Sequence, residues 1–494
     1  MGMGKAARWT GGLLTLLLVL LTAACVWEAG PVLPIRAQAG TTAEDSAEPD
    51  ITALGSSETG TTAEDSTTPG MKPDVGTESG VTEQDSGNSG ENGSEGQTME
   101  EEKTFHGFPD AGQGTLRFRK NGEFRILVVT DTQDIDKPQE ATRTMLDAEL
   151  DAADADLVLL LGDQIHGPAI GHDEEKTRTA LAAILDVIAK HHVPFAAVFG
   201  NHDDEGGVSK ETQLGWYQSY PDCLMVKGSA GYGVGNYNLL VWSEDGTKPL
   251  ANLWMIDSGT YCPKQDGTYD WVHGEQIQWY KETARRIADH NGGAMVPAYV
   301  FQHIIVPEIY DLLTVTDASA KGQPNVVRGF GTWNRNYYRM GEGFRAGNLR
   351  ECPCPPDHNG GEFEAMKEMG DVRAMFFGHD HTNDFVGTYE GIDLVNTDGT
   401  GFFLYGPGGD HGGRLIVLHE DDPSHYETNM LYWKDIVEAP LPTDGSATSG
   451  AVYMFYTRRY LPLLLLTGVG VTAGTLAMRR RGRRKQERGS GNGK

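Results

Sequence analysis

Basic residues are scarce in this chain of 494 amino acids: 41 Lys and Arg stand against 70 Asp and Glu, for a formal net charge of −29. Such a balance repels a phosphate backbone, and nucleic acid is excluded as a partner. Cysteine is sparse too, with five in all and no Cys-x-x-Cys pair, so no zinc site of paired thiolates holds the fold. Cys352 and Cys354 are too close to join each other readily. Crosswise pairing with Cys223 and Cys262 is the oxidised alternative, while Cys25 lies apart. Aliphatic side chains nearly vanish from 40 to 103, where Lys72 is the one basic residue before Lys103. With so little apolar surface to offset chain entropy, this tract is expected to be a disordered acidic linker. Its repeat, Thr41 to Ser46 again at Thr61 to Ser66, is low complexity and excludes nothing but a solenoid.

What remains is a body of short apolar runs, each ending in a polar cluster. Ile126 to Thr130 ends in Asp131-Thr132-Gln133, Leu157 to Leu161 in Gly162-Asp163, and Phe195 to Phe199 in Gly200-Asn201-His202-Asp203. Ala298 to Gln302 ends in His303, and Val372 to Phe377 in Gly378-His379-Asp380-His381. Runs rich in Val, Ile and aromatics read as strands of a buried sheet, and the loops after their C-terminal ends are where α/β proteins gather chemistry. Asp147 to Ala155 and Thr177 to His191 carry apolar residues at helical spacing between the first three runs, as crossover helices would. The fold class expected from this alternation is α/β.

The order Asp, Gly-Asp, Gly-Asn-His-Asp, His, Gly-His-x-His resembles the calcineurin-like metallophosphoesterases, in particular a branch related to the purple acid phosphatases. Met255 to Gly259, Trp271-Val272-His273, Gln278-Trp279 and His303 to Glu308 supply the context, and the likeness spans roughly Phe124 to Leu418. The resemblance implies a four-layer αββα sandwich with two mixed β-sheets. It also implies a metal-dependent phosphoric ester hydrolase with two transition-metal ions, Fe, Mn or Zn, acting on a small phosphorylated substrate.

The residue types suit that chemistry. Two ions about 3.5–4 Å apart need a bridging carboxylate, because an anionic oxygen both neutralises and shares them. The motif positions make Asp163 the bridge, with Asp131 and His381 on one ion and Asn201, His303 and His379 on the other, a mixed oxygen and nitrogen set. A metal-bound hydroxide is then the expected nucleophile. His202 is expected to face the phosphate as a non-ligand catalytic group, stabilising charge or protonating the leaving oxygen, with Asp203 as a candidate to orient it. Gln133 departs from the pattern, which usually has His there. A neutral amide coordinates loosely, supports a ligand from behind, or leaves that ion less tightly bound. His273 either borders the site or packs in the core, and the Gly406 to Gly413 loop is open enough to offer backbone N–H groups to a phosphate. His106, His166, His172, His191, His192, His290, His358, His411, His419 and His425 are read as surface or core residues.

The ends speak to location. Lys5 and Arg8 precede an apolar run, Leu13 to Ala24, in the layout of a secretory signal. Ala37-Gln38-Ala39 offers a cleavage point, Thr22 to Cys25 an imperfect lipoprotein box, and an uncleaved anchor is the alternative. Leu461 to Met478 is uncharged, about the length of a membrane helix, preceded by Tyr460 and followed by a cluster of arginines. The expected layout is a signal or anchor (1–39), linker (40–103), phosphoesterase domain (104–420), connector (421–460), transmembrane helix (461–478) and basic cytoplasmic tail (479–494). The catalytic body then faces the outside of the cell membrane, and no protein partner is inferable. Phosphomonoester hydrolysis is the expected activity. Phosphodiester cleavage with the same centre, or a surface binding module impaired through Gln133, are the alternatives.

Overall fold

The computed structural model describes residues 116–262, 269–330 and 334–442. The expected signal, linker, membrane helix and tail lie outside the described residues, and no helix among those described is long and apolar enough to cross a membrane.

Strands form where the apolar runs sit. One sheet has the order β15-β14-β1-β2-β3, from β1 (Glu123–Val129), β2 (Leu157–Leu161), β3 (Phe195–Val198), β14 (Gly412–His419) and β15 (Tyr426–Tyr432). Its β1, β2 and β3 are mutually parallel, and β14 and β15 add antiparallel to the outer side of β1. Every residue of β2 and β3 is buried, because neither strand has a polar face to offer water. The second sheet has the order β10-β12-β13-β11-β6-β5-β4. It is built from β4 (Tyr237–Trp242), β5 (Pro249–Met255), β6 (Ala298–Phe301), β10 (Phe344–Ala346), β11 (Val372–Phe377), β12 (Val386–Tyr389) and β13 (Ile392–Asn396). Here β5, β6, β11 and β13 are parallel, with antiparallel strands at both edges. A small third sheet joins β7 (Leu313–Thr316), β9 (Tyr337–Met340) and β8 (Val326–Arg328).

The two large sheets face each other, and strand alternation sorts their side chains. In β11, Ala374 and Phe376 enter the core shared with β1, β2 and β3, whereas Met375 and Phe377 enter a second core behind the sheet. Phe301 of β6 stacks on Phe376 at 5.1 Å within the shared core. Helices close both outer faces. On the first sheet these are α1 (Glu140–Ala153) and α2 (Glu174–His191), the crossovers of the parallel strands. Beyond α3 (Lys210–Tyr217), the second sheet is covered by α4 (Gly274–His290) and α5 (Glu362–Met369), whose Trp279, Tyr280, Phe363 and Met366 fill the second core. The result is the expected αββα sandwich with two mixed sheets.

Three details differ from expectation. Helix α1 starts at Glu140, about two turns ahead of the apolar spacing, and stops at Ala153, just short of its end, because Asp154 takes the left-handed conformation at φ 44°. Tyr426–Tyr432 and Trp433–Ile436, expected in the connector, form an edge strand and a helical turn, and Trp433 packs on Phe402. Cys223, Cys262, Cys352 and Cys354 are all free thiols, so the crosswise disulfides are absent.

Candidate metal centre

The loops after β1, β2, β3, β6 and β11 are laced together by backbone bonds. Asp131 N–H donates to the Gly162 carbonyl, Gln133 N–H to Asp163, and Gly378 N–H to His303. Close approach demands glycine at two of these crossings. A Cβ on Gly200 would lie 2.1 Å from Asp163 Oδ1, and one on Gly378 would lie 2.0 Å from Thr130 Oγ1. Asp131, Gln133, Asp163 and His379 are themselves held at φ of 50°, 35°, 51° and 69°, a region that costs a non-glycine residue about 1–3 kcal/mol. Strain concentrated on these four residues marks the loops as shaped for what they hold.

Asp163 lies at the centre, fully buried. Its Oδ1 accepts from His202 N–H (2.7 Å) and its Oδ2 from the Gln133 amide Nε2 (2.7 Å), while His303 Nε2 stands 3.2 Å from Oδ2. Ligand atoms of Asp163, His303 and His379 all fall within 4.8 Å of one another. Asp131 takes bonds on Oδ2 from Thr130 Oγ1 and His379 N–H, and its Oδ1 lies 3.4 Å from His381 Nε2. Two imidazoles have their tautomer set from behind. His303 Nδ1 donates to the Leu161 carbonyl (2.7 Å) and His381 Nδ1 to the Tyr405 carbonyl (3.2 Å), which turns each Nε2 lone pair inward.

Asp131 Oδ1, Gln133 Oε1, Asn201 Oδ1, His303 Nε2 and His379 Nε2 are buried without a hydrogen-bond partner. Buried polar atoms are almost always paired, so five orphaned acceptors on four converging loops call for a shared electrophile. A dinuclear transition-metal centre fits these residues. Asp131, Asp163, Asn201, His303, His379 and His381 would hold it, with Gln133 offering an amide oxygen.

Charge reinforces this. Burial would raise Asp163, but His303 and His202 outweigh it and hold the carboxyl well below the usual range. Burial pushes Asp131 up against the pull of His381 and His303. Burial also opposes a charge on His303, yet Asp163 prevails and lifts it to about 9, so the paired carboxylates demand positive charge at this spot. His379 is driven far below the ordinary imidazole value by burial and by His303, which leaves its Nε2 a free base.

The structure places Asp163, His303 and His379 in one group, sets Asp131 against His381, joins Gln133 and the His202 N–H to Asp163, and places Asn201 next to Gly200, which abuts Asp163. The partner of His202 is not Asp203. Its Nδ1 pairs with Glu205 at 2.5 Å, and its ring lies 5.2 Å from that of His166. Burial disfavours a charged His202, but Asp163 and Glu205 outweigh that and raise it. Asp203 points the other way and stitches two loops: Oδ2 accepts from Asp163 N–H (2.9 Å) and Gly200 N–H (2.8 Å), and Oδ1 from Gln164 N–H (2.9 Å) and Ile165 N–H (3.2 Å). Burial and the nearby Asp163 push the Asp203 carboxyl up to about 7.

Three tyrosines join from loops that carry no motif. Tyr261 accepts from Asn201 Nδ2 (3.0 Å), Tyr269 meets the His379 ring at a right angle with centroids 4.6 Å apart, and Tyr405 stacks on His381 at 4.5 Å. His411, expected in the surface or core class, is buried and holds the Gly399 carbonyl, and the Gly399 and Gly401 N–H groups bond His381 and Asp131. The glycine loop ahead of His411 is fixed rather than open, since Asp410 pairs with Arg350 and Lys434. His273 caps α4 between Tyr232 and Trp271 and bonds Asp270, a structural post.

A family model described as calcineurin-like phosphoesterase matches residues 124–383. The chain belongs to that family. Among curated relatives, probable inactive purple acid phosphatase 14 of Arabidopsis thaliana is 29% identical over 333 residues, covering 60% of this chain and 75% of that protein. Probable inactive purple acid phosphatase 29 of the same plant is 28% identical over 337 residues, covering 61% and 78%. Phosphatase DCR2 of Saccharomyces cerevisiae is 27% identical over 363 residues, covering 67% and 57%. Among solved structures, a dimetal phosphatase from Danio rerio aligns with a TM-score of 0.39 at 13% identity, over 60% of this chain and 93% of that one.

Proposed function

We propose that this calcineurin-like phosphoesterase hydrolyses small phosphomonoesters. The observation that carries the reading is the convergence of five orphaned acceptors from the ends of four strands. Two metal ions bound there would polarise the phosphoryl group and activate a water for in-line attack. Asp163, with one oxygen reaching toward His303 and the other fixed by His202 N–H, would serve as the shared carboxylate. His202 presents the imidazole that protonates the leaving oxygen, and Glu205 holds its Nδ1 so that Nε2 carries the transferable proton. Tyr261 and Tyr405, both partly exposed, line the approach and keep Asn201 and His381 in place.

A second reading has its own support. The Gln133 amide donates to Asp163 and takes one of the lone pairs that a bridging carboxylate needs, so a weakened centre serving as a binding module is the alternative. The names of three curated relatives carry the word inactive. For location, the apolar runs Leu13 to Ala24 and Leu461 to Met478 support an exported, membrane-anchored protein with its catalytic body outside.

The test uses the purified full chain loaded with Mn, Zn or Fe and offered aryl phosphate monoesters and diesters. Monoester turnover that Asp163→Ala removes is the expected result. Preference for diesters would replace the substrate class, and retained metal without turnover would favour the binding module.

A further inference from the structure

A second group of unpaired oxygens lies around Gln302, beside but outside the metal cluster. Gln302 is 1% exposed, and its Nε2 donates to the Ile304 carbonyl (2.9 Å) and to Glu362 Oε2 (3.3 Å). Those two acceptors fix the amide orientation, since the amide oxygen could not face them, and Oε1 is left without a donor. Glu362 Oε1 and Glu308 Oε2 are likewise buried and unpartnered, while Glu308 Oε1 accepts from Asn359 Nδ2 (2.7 Å). Gln302, Glu308 and Glu362 line one small cavity, about 20 Å³, which reaches the surface beside exposed His358 and Asn359.

A void of that size admits one water or one ion, since a water needs about 10–15 Å³. A water has two protons to donate and three acceptors are waiting, and it neutralises neither carboxylate. Glu362 feels burial and the like charge of Glu308, which lift it to about 8, and no cationic side chain pairs with it among the described residues. One divalent ion would satisfy the three oxygens together and offset both charges. An all-oxygen set selects a hard cation over Zn or Fe.

We propose that Gln302, Glu308 and Glu362 form a site for a hard divalent cation such as Ca²⁺, separate from the dinuclear centre and linked to it through the Gln302-His303 peptide. The cation would pin Gln302 and so steady His303.

The full chain, saturated with Mn²⁺ and stripped of other ions, is titrated with Ca²⁺, with Mg²⁺ in parallel, and followed by equilibrium dialysis and thermal unfolding. One further ion per chain is expected to bind, raising Tm by about 5 °C at a hundredfold excess over Kd. Glu362→Gln and, independently, the less buried Glu308→Gln should lose both signals, although the acidic tract 40–103 is unchanged in each. Asp163→Ala should keep the Ca²⁺ response, so failure of the phosphatase reading leaves this one standing. The proposal is overturned if neither ion binds, if the glutamine variants bind as well as the parent, or if Glu362→Gln alone gives the stabilisation expected of the ion, which would make Glu362 a neutral acid over a water.

Discussion

Asp203→Asn replaces one carboxylate oxygen by a group that donates. Oδ2 serves Asp163 and Gly200 and Oδ1 serves Gln164 and Ile165, so whichever oxygen is lost, two buried backbone N–H groups come to face a donor. Each buried donor left unpaired costs about 1–3 kcal/mol, giving about 2–6 kcal/mol from a native stability of about 5–15 kcal/mol. The loops involved carry Asp163 and Asn201, so the damage falls on metal retention as well as on folding. If about 2.7 kcal/mol of it reaches the bound state, the metal dissociation constant rises about a hundredfold. The assay is dialysis against graded chelator followed by elemental analysis, with thermal unfolding of the same samples at pH 8, above the value near 7 for the Asp203 carboxyl. A Tm lowered by about 5–15 °C with weakened metal retention is expected. An Asp203→Asn protein that melts with the parent and keeps its metals would refute the stitching role.

Asp163→Ala and His379→Ala are each expected to abolish metal retention and turnover together, read by elemental analysis and phosphate release, because both contribute to the tightest ligand cluster. His202→Ala should keep its metals and slow turnover by about 10²–10⁴-fold; loss of metal there would overturn its placement outside the ligand set. Gln133→His removes the amide bond to Asp163 and supplies an imidazole, so metal should survive longer dialysis than in the parent; equal retention would count against Gln133 facing the metals. Glu149 is buried, which raises it to about 8 against bonds from Thr400 and Gly413. Its folded value lies above its unfolded one near 4.5, so the parent loses stability as pH climbs from about 5 to 8. Glu149→Gln should lack that loss, and Tm values that track each other across the range would refute the shift.

The parallel strands were legible because burial on both faces writes them as unbroken apolar runs, and Leu157–Leu161 begins and ends where the sequence places it. Strand β15 was not: Tyr426–Tyr432 alternates half-buried and exposed positions in polar company, with Leu431 its one buried residue, and it pairs with β14 along the sheet edge. The ligand candidates were visible as polar clusters behind small glycine steps, a local signal. Their supports were hidden. Tyr261 reaches Asn201, and the Tyr405 carbonyl reaches His381, across chain distances that only the tertiary fold closes. Asp203 was misread through adjacency, because neighbouring side chains diverge, and the three-residue step from His202 to Glu205 is what places their side chains together.

Asp131, Asp163 and Asn201 hang from one sheet, and His303, His379 and His381 from its opposite. Anything clasped by all six therefore buttons the sandwich shut along one rim. Withdrawing it opens a seam, so a protease should nick the parted loops and folding cooperativity should fray as the metals leave. The cohesion of the two sheets would hang on that same fastener.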